Sequence, residues 1–247
     1  FKQSFFCGII LCTTVNLILR LAHPVGIPMA QVQPLQDWSE CDVRYCSTIL
    51  MKADNSFLFP LDFMAVSIFN RSMSLIAGFI LLVRQENFFC AAPLVWLQLD
   101  NALRFFATAL VKDPHKVTVE FIGGTPIKDF TDEQTGKNLT DTYLVNKLSG
   151  LDEKFKWVKP LYQNSSGYIH LSEKHFIIST TTKDNEPMKF ASAVSAKDNF
   201  ITTEDRVDAV NVMIETSKVV LFLLDSWSFN KYNPGLREKL AKTQPWM

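Results

Sequence analysis

Residues 61–112 read LDFMAVSIFNRSMSLIAGFILLVRQENFFCAAPLVWLQLDNALRFFATALVK, and this stretch decides the fold. Residues 61–83 space their apolar side chains three and four positions apart, which is the period of a helix with one buried face. Polar residues 84–87 separate them from a second apolar stretch, 88–112, which the Asp-Pro pair at 113–114 should end. Two long apolar helices joined by so short a link must pack antiparallel. The sequence therefore predicts a long helical hairpin.

Shorter helices and some extended chain are predicted after the hairpin. Thr140 is placed to cap a helix over residues 141–148, because its hydroxyl can accept from a backbone N–H of the first turn. Another helix is predicted over residues 153–165. Two segments predict a short strand or extended chain, namely residues 117–122 and residues 190–195.

The last strong element is a helix predicted over residues 203–228, capped by Thr202 or Thr203. Its second half, residues 219–224, is apolar on every side and should be buried. The predicted fold class is mainly α: a helical bundle built on a long antiparallel hairpin, with a minor short-strand or extended insertion.

A chain of 247 residues fits one large domain, predicted over residues 29–232 and followed by a polar tail at 233–247. Residues 1–28 contain an apolar run, 5–19, and three interpretations of them stay open. They are a leader foreign to the natural protein, or a membrane anchor, or the core of a signal peptide. The abrupt change to polar sequence at Met29 favours the first of these.

The composition narrows the functional classes. Lys and Arg number 25 and Asp and Glu also number 25, whereas nucleic-acid-binding proteins usually carry a basic face. The five cysteines match no common zinc or redox spacing, and no histidine cluster accompanies them. We therefore expect no metal site, no cofactor, and reduced thiols in the cytoplasm.

The second helix of the hairpin carries a polar strip among apolar neighbours. Gln98 and Asn101 are three residues apart, as are Asn101 and Arg104, so the three side chains can share one helix face. Asp100 and Arg104 are four apart and can form an ion pair. Polar groups on so apolar a helix need partners if they are buried. Gln98, Asp100 and Asn101 are candidate binding residues, and a structural network is the alternative interpretation.

The run Tyr-Ile-His-Leu-Ser at residues 168–172 is a second candidate. Tyr168, His170 and Ser172 bring polar groups within one and a half helical turns. His170 could act as a general acid or base with Ser172 as polar support, and a structural histidine is equally compatible with the sequence. His175 lies five residues from His170, an offset that does not favour a paired metal site.

Three motifs carry a resemblance over residues 60–178: SLIAGFILLVRQENFFCAAPLVWLQLDNALRFFA, GKNLTDTYLVNKL and SSGYIHLSEKH. They resemble an uncharacterised bacterial family of helical proteins. Its general shape is similar to the HEPN group (higher eukaryote and prokaryote nucleotide-binding domains). Members of that group often act as metal-independent ribonucleases in toxin and phage-defence systems. Active members carry an Arg four to six residues before a His. Here Asn164 stands six residues before His170, and a neutral amide cannot supply the charge of a guanidinium at a phosphate.

Two functional hypotheses follow. The first is a non-catalytic interaction or regulatory module of a bacterial defence or stress system, with a homodimer or another protein as partner. The alternative is a HEPN-like ribonuclease or nucleotide-acting enzyme, with His170 as acid or base, Arg104 as the phosphate-facing cation, and Tyr168 and Ser172 beside them. The neutral charge does not support RNA as a partner and favours the first hypothesis. Membrane association is expected only if residues 5–22 are a native anchor.

Overall fold

The computed structural model describes residues 58–169, 172–183, 186–198 and 200–232. The predictions made for residues 1–57 and for the tail at 233–247 lie outside the described residues. The structure is mainly α and confirms the predicted fold class. In chain order the elements are α1 (Pro60–Arg84), α2 (Phe88–Thr108), α3 (Pro114–Ile122), α4 (Asp141–Ser149), α5 (Val158–Ile169), α6 (Glu173–Ser179), β1 (Thr180–Lys183), β2 (Glu186–Ser192) and α7 (Thr203–Tyr232).

Helices α1 and α2 form the predicted antiparallel hairpin. Glu86 turns the chain between them with φ 59°, a left-handed conformation, and the Asn87 side chain accepts from Cys90 N at 3.1 Å. Asp198, which precedes α7, also binds this turn. Its carboxylate accepts from Phe88 N, and its own N–H donates to Glu86 O at 2.8 Å. The closed end of the hairpin is therefore fixed both from within and by a distant segment of the chain.

Helix α7 packs along α2 and also contacts α1, while α4 and α5 pack against α2. The core between these helices contains side chains with no exposed surface, among them Phe79, Leu99, Leu103, Leu144 and Met213. Burying an aliphatic or aromatic side chain of this size is worth about 1.5–3 kcal/mol. Helix α2 thus lies at the centre of the bundle, with polar residues that must find partners there.

The prediction that residues 219–224 are buried on every side is wrong for Phe222. Val219, Val220, Leu223 and Leu224 are buried, whereas the Phe222 side chain is 43% exposed. Its ring contacts the ring of Phe155 at 5.6 Å between centroids, and Lys154 Nζ lies 4.7 Å from its centroid. Helix α7 therefore keeps a solvent face along its whole length, as a helix on the outside of a bundle does.

The extended segment predicted at residues 117–122 is also wrong, because these residues form α3. The Asp113 side chain accepts from His115 N and Lys116 N, and Pro114 is the first helical residue. A capping carboxylate followed by proline starts a helix, and this signal prevailed over the alternating valines. Helix α2 accordingly ends at Thr108 rather than at residue 112.

Other boundaries differ in detail. Residues 153–155 form a separate turn of 3-10 helix before α5, which starts at Val158. Strand β1 pairs antiparallel with β2, which covers Glu186–Ser192 rather than residues 190–195. The caps were predicted well: Thr140 accepts from Tyr143 N at 3.3 Å, and Thr202 Oγ1 accepts from Asp205 N at 3.1 Å.

A buried ion pair joins the first turn of α1 to the last turn of α7. Lys231 Nζ lies 2.7 Å from Asp62 Oδ2, with side-chain exposures of 13% and 1%. Asp62 also accepts from Phe59 N at 2.7 Å, and the Lys231 ammonium lies 5.6 Å from the ring centroids of Phe59 and Trp227. A buried charge that loses its partner is strongly unfavourable, so this pair holds the two helix ends together.

We predict that Asp62→Ala lowers the free energy of unfolding by about 3–5 kcal/mol, because Lys231 would remain buried without its carboxylate. Glu215→Ala is the matched control, since Glu215 pairs with Lys218 at 2.6 Å on the exposed surface and should change stability by less than about 1 kcal/mol. Urea unfolding followed by circular dichroism measures both. Equal losses in the two variants would contradict the prediction.

Candidate functional site

Gln98 lies at the centre of the bundle with its side chain fully buried. Its Nε2 donates to the hydroxyl oxygen of Ser72 in α1 and to that of Ser217 in α7, the second at 3.0 Å. Ser217 in turn donates to Met213 O at 2.8 Å. One amide on α2 therefore forms hydrogen bonds to both neighbouring helices.

Asn101, one turn further along α2, is also fully buried and extends the network. Its Nδ2 donates to Gln98 Oε1 at 3.2 Å, and its Oδ1 accepts from Arg71 Nη1 at 2.6 Å. The oxygen and the nitrogen of each amide therefore form hydrogen bonds, and the Asn101 nitrogen does so through one of its two N–H groups. The two amides connect the middle of the core to a charged cluster near the surface.

That cluster is an alternating quartet of two arginines and two aspartates. Arg71 Nη1 lies 3.0 Å from Asp100 Oδ2, and Arg104 Nε lies 2.8 Å from Asp100 Oδ1. Arg104 Nη2 reaches Asp141 Oδ1 at 2.7 Å, in the first turn of α4. The side chains of Asp100 and Arg104 are 19% and 23% exposed. The quartet has no net charge and joins α1, α2 and α4.

The structure therefore brings together the predicted residues of the hairpin. The ion pair expected between Asp100 and Arg104 is confirmed. Gln98 and Asn101, which were predicted to share a helix face, bond directly, whereas Arg104 joins them through Asp100. The partners on other helices were not predicted from the sequence: Arg71, Ser72, Asp141 and Ser217. Ser72 and Ser217 were detectable only as isolated small polar residues on otherwise apolar helix faces.

Ser172, another of the predicted residues, lies near the opposite end of α2, where Phe89 is located. Ser172 N donates to His175 Nδ1 at 2.9 Å, and the His175 ring contacts the Phe89 ring at 4.7 Å between centroids. Phe89 precedes Arg104 by 15 positions, which is about 22 Å along a helix axis. The structure thus does not bring Ser172 to Arg104.

Tyr168 belongs to α5 by its backbone, while its side chain and the whole of His170 lie outside the described residues. Helix α5 runs from the middle of α2 towards the start of α2, because Tyr162 contacts Trp96 at 4.9 Å and the later His175 contacts Phe89. The six positions from Tyr162 to Tyr168 take the chain about 9 Å further from Arg104.

A second buried carboxylate, Asp132, shapes the loop before α4 and is 1% exposed. Its oxygens accept from Gln134 N, from Thr135 N, and from the Tyr143 hydroxyl at 2.7 Å, and Lys147 Nζ lies at 3.2 Å. Burial raises the pKa of this carboxyl, but these hydrogen bonds together outweigh burial and leave the pKa below its ordinary value. The loop N–H groups are occupied by Asp132 itself, which leaves them unavailable to a phosphate.

Two broader features bear on the kind of site. Within residues 58–169, 172–183, 186–198 and 200–232, no three His, Cys, Asp or Glu side chains are grouped to hold a metal ion. In the same part of the chain, α1 is long and apolar enough to cross a membrane by length and composition, with a mean hydropathy of 1.8, and 44% of its most apolar window is buried in the fold. The core helix of a bundle has these same features.

No family model matches the chain, and comparison with curated proteins and with solved structures finds no match to either.

We predict that Gln98→Leu lowers the free energy of unfolding by about 1–3 kcal/mol, because the buried Asn101 Nδ2 loses its acceptor. Gln85→Leu is the control, since Gln85 is exposed at the end of α1 and should change stability by less than about 0.5 kcal/mol. Chemical denaturation of both variants tests this, and an unchanged Gln98→Leu protein would show that the network contributes nothing to stability.

We further predict a pH-dependent contribution from Asp132. Because its folded-state pKa lies below the ordinary value of about 3.9, the carboxylate stabilises the fold above that pH, and the effect is lost as pH falls through the folded-state pKa. The stability difference between the wild type and Asp132→Asn should stay constant from pH 7 to pH 5 and shrink below about pH 4. Urea unfolding across this pH range measures it, and a difference that grows on acidification would contradict the assignment.

Proposed function

We propose that this chain is a non-catalytic helical module that acts by binding a protein partner. The observation that carries this proposal is the placement of Arg104, the one cation that the nuclease alternative needs on α2. Its guanidinium contacts two carboxylates, Asp100 at 2.8 Å and Asp141 at 2.7 Å. Both of the nitrogens involved point at protein oxygens rather than at an open site.

A phosphate would have to compete with these carboxylates. An Arg that stabilises a phosphoryl group works because its charge and its paired N–H groups face the substrate. Beside Arg104, a phosphate would meet the negative charges of Asp100 and Asp141, and like charges at such distances repel. Arg71 does not offer a phosphate a better site, because its guanidinium donates to Asp100 and to Asn101. The quartet therefore has the composition of a set of ion pairs that holds helices together.

The distance between Ser172 and Arg104 also supports the non-catalytic interpretation. Ser172 is anchored near Phe89, about 22 Å along α2 from Arg104. In the nuclease alternative, Ser172 as polar support and Arg104 as the phosphate-facing cation would have to meet one reacting group at hydrogen-bonding range. The balance of 25 basic and 25 acidic residues adds that the chain as a whole offers little attraction to RNA.

The cellular system and the location of the protein are proposed from its sequence. A bacterial defence or stress system and a cytoplasmic location follow from the resemblance of the three sequence motifs, together with the reduced thiols expected from the odd cysteine count. The partner is proposed to be protein, with a second copy of the chain as the first candidate.

The test is an RNA-cleavage assay on the wild type, His170→Ala and Arg104→Gln, using structured and single-stranded RNA. We expect all three proteins to leave RNA intact, and Arg104→Gln to be less stable, because Asp141 loses its ion pair. Lys218→Gln serves as the control for removal of an exposed paired cation. Cleavage by the wild type that is lost in both His170→Ala and Arg104→Gln would overturn the proposal and establish the HEPN-like nuclease with these two residues as its machinery.

A further inference from the structure

The solvent-facing side of α1 carries one charged side chain, that of Arg71, which is 43% exposed. The charged residues of this 25-residue helix are Asp62, Arg71 and Arg84. Asp62 is buried against Lys231, and Arg84 is buried at the C-terminal end of the helix. Arg71 lies at the margin of the outer face and binds Asp100 and Asn101. Surface helices of globular proteins normally present charged and polar residues to water. An outer face that has a single charge, at its margin, over a helix of seven turns indicates an interface.

The residues of this face recur every three or four positions, as in a helix–helix contact. We call them the α1 outer strip: Phe63, Val66, Asn70, Ser74, Ala77 and Leu81. Phe63 and Val66 are 53% and 40% exposed, Asn70 and Ser74 are exposed, and Ala77 and Leu81 are half-buried at the edge. The Ser74 hydroxyl donates to Asn70 O at 3.0 Å, so burying it would leave no unsatisfied donor.

We propose that the α1 outer strip binds the same strip of a second copy of this chain, with the two helices antiparallel and a two-fold axis at Asn70. This inference rests on the proposed function and names its partner. A contact centred on Asn70 places Phe63 opposite Ala77 and Val66 opposite Ser74, and it brings the two Asn70 amides together. Each member of the strip from Phe63 to Ala77 then faces another member.

The sizes and chemistry of the side chains support a second copy over an unrelated partner. Within the part of the strip that pairs about Asn70, the large residues Phe63 and Val66 occupy one half and the small residues Ser74 and Ala77 the other, so an antiparallel copy sets large against small. An amide is both donor and acceptor, so Asn70 can pair with its symmetry mate across the axis. A polar residue that pairs with its own copy in a largely apolar helix contact fixes register at some cost in stability.

The extent of the strip sets the expected affinity. Residues 63–77, which pair about the axis, span about 21 Å of helix, and a contact of this length buries less than the roughly 1,600 Å² of a standard interface. We therefore expect a reversible dimer with a dissociation constant on the order of 1–100 µM, rather than an obligate one. A lipid surface is the competing occupant, since α1 is also the helix of the described residues that is apolar enough to enter a membrane.

Sedimentation equilibrium of the full chain between about 1 and 300 µM tests the proposal. The wild type should pass from monomer to dimer, and Phe63→Glu should weaken association at least about tenfold because it buries an unpaired charge at the contact. Phe176→Glu is the matched control: Phe176 is 66% exposed on α6, away from the strip, and this variant should dimerise as the wild type does. Circular dichroism confirms that each variant is folded.

Photo-crosslinking distinguishes the arrangement. A benzoylphenylalanine in place of Phe63 should crosslink to the partner's peptide containing position 77, and one in place of Asn70 should crosslink around position 70. Three results would overturn the proposal: a monomer at 300 µM, a dimer insensitive to Phe63→Glu, or crosslinks from 63 to 63, which mark a parallel pair. Flotation of the wild type but not Phe63→Glu with liposomes of phosphatidylcholine and phosphatidylglycerol would assign the strip to lipid instead.

Failure of this inference and failure of the proposed function give different results. A monomeric protein that leaves RNA intact would remove the second copy as partner and leave the non-catalytic module standing. A dimer that cleaves RNA through His170 would do the reverse.

Discussion

The Gln98 amide, fully buried and hydrogen-bonded to Ser72 and Ser217, is the constraint on which the rest of the bundle depends. Apolar packing alone would let α1, α2 and α7 slide past one another, because leucine and phenylalanine surfaces have no directional preference. A buried amide permits few arrangements, since leaving its donors unsatisfied is costly. Gln98 therefore specifies the register of the three helices, and Asn101 extends this register to the charged quartet.

The charges of the quartet are satisfied by one another. Each of its cations is placed against a carboxylate, and each carboxylate against a cation, so charge is satisfied inside the protein. A catalytic site keeps charge available for a transition state, often at a cost in stability. The same four residue types, with the carboxylates turned away, could have bound phosphate. Their mutual pairing here is the physical reason for preferring a structural and binding role.

Helix α1 connects this interior to the surface. Its inner face contributes Ser72 to the buried network and Asp62 to the pair with Lys231, which leaves Arg71 as the one charged side chain exposed on this helix. The buried contacts also fix the rotation of α1 about its axis and so determine which residues form the outer strip. The buried contacts that fix the register of the core therefore also determine the composition of the proposed interface.

The sequence by itself determined the helical hairpin, the mainly α class, the cap at Thr140, a cap at Thr202 or Thr203, and the Asp100–Arg104 pair. All of these depend on residues within a few positions of each other, where helical periodicity and capping chemistry are decisive. The prediction for α3 was wrong because it relied on the alternating valines and not on the Asp113–Pro114 start signal. The prediction for Phe222 was wrong because periodicity does not say how many sides of a helix its neighbours cover. Only the tertiary structure decided that Gln98 bonds to Ser72 and Ser217, that Arg104 is held by Asp141 as well as Asp100, and that Ser172 lies near Phe89 instead. These partners come from other helices, and local spacing carries no information about which helices meet.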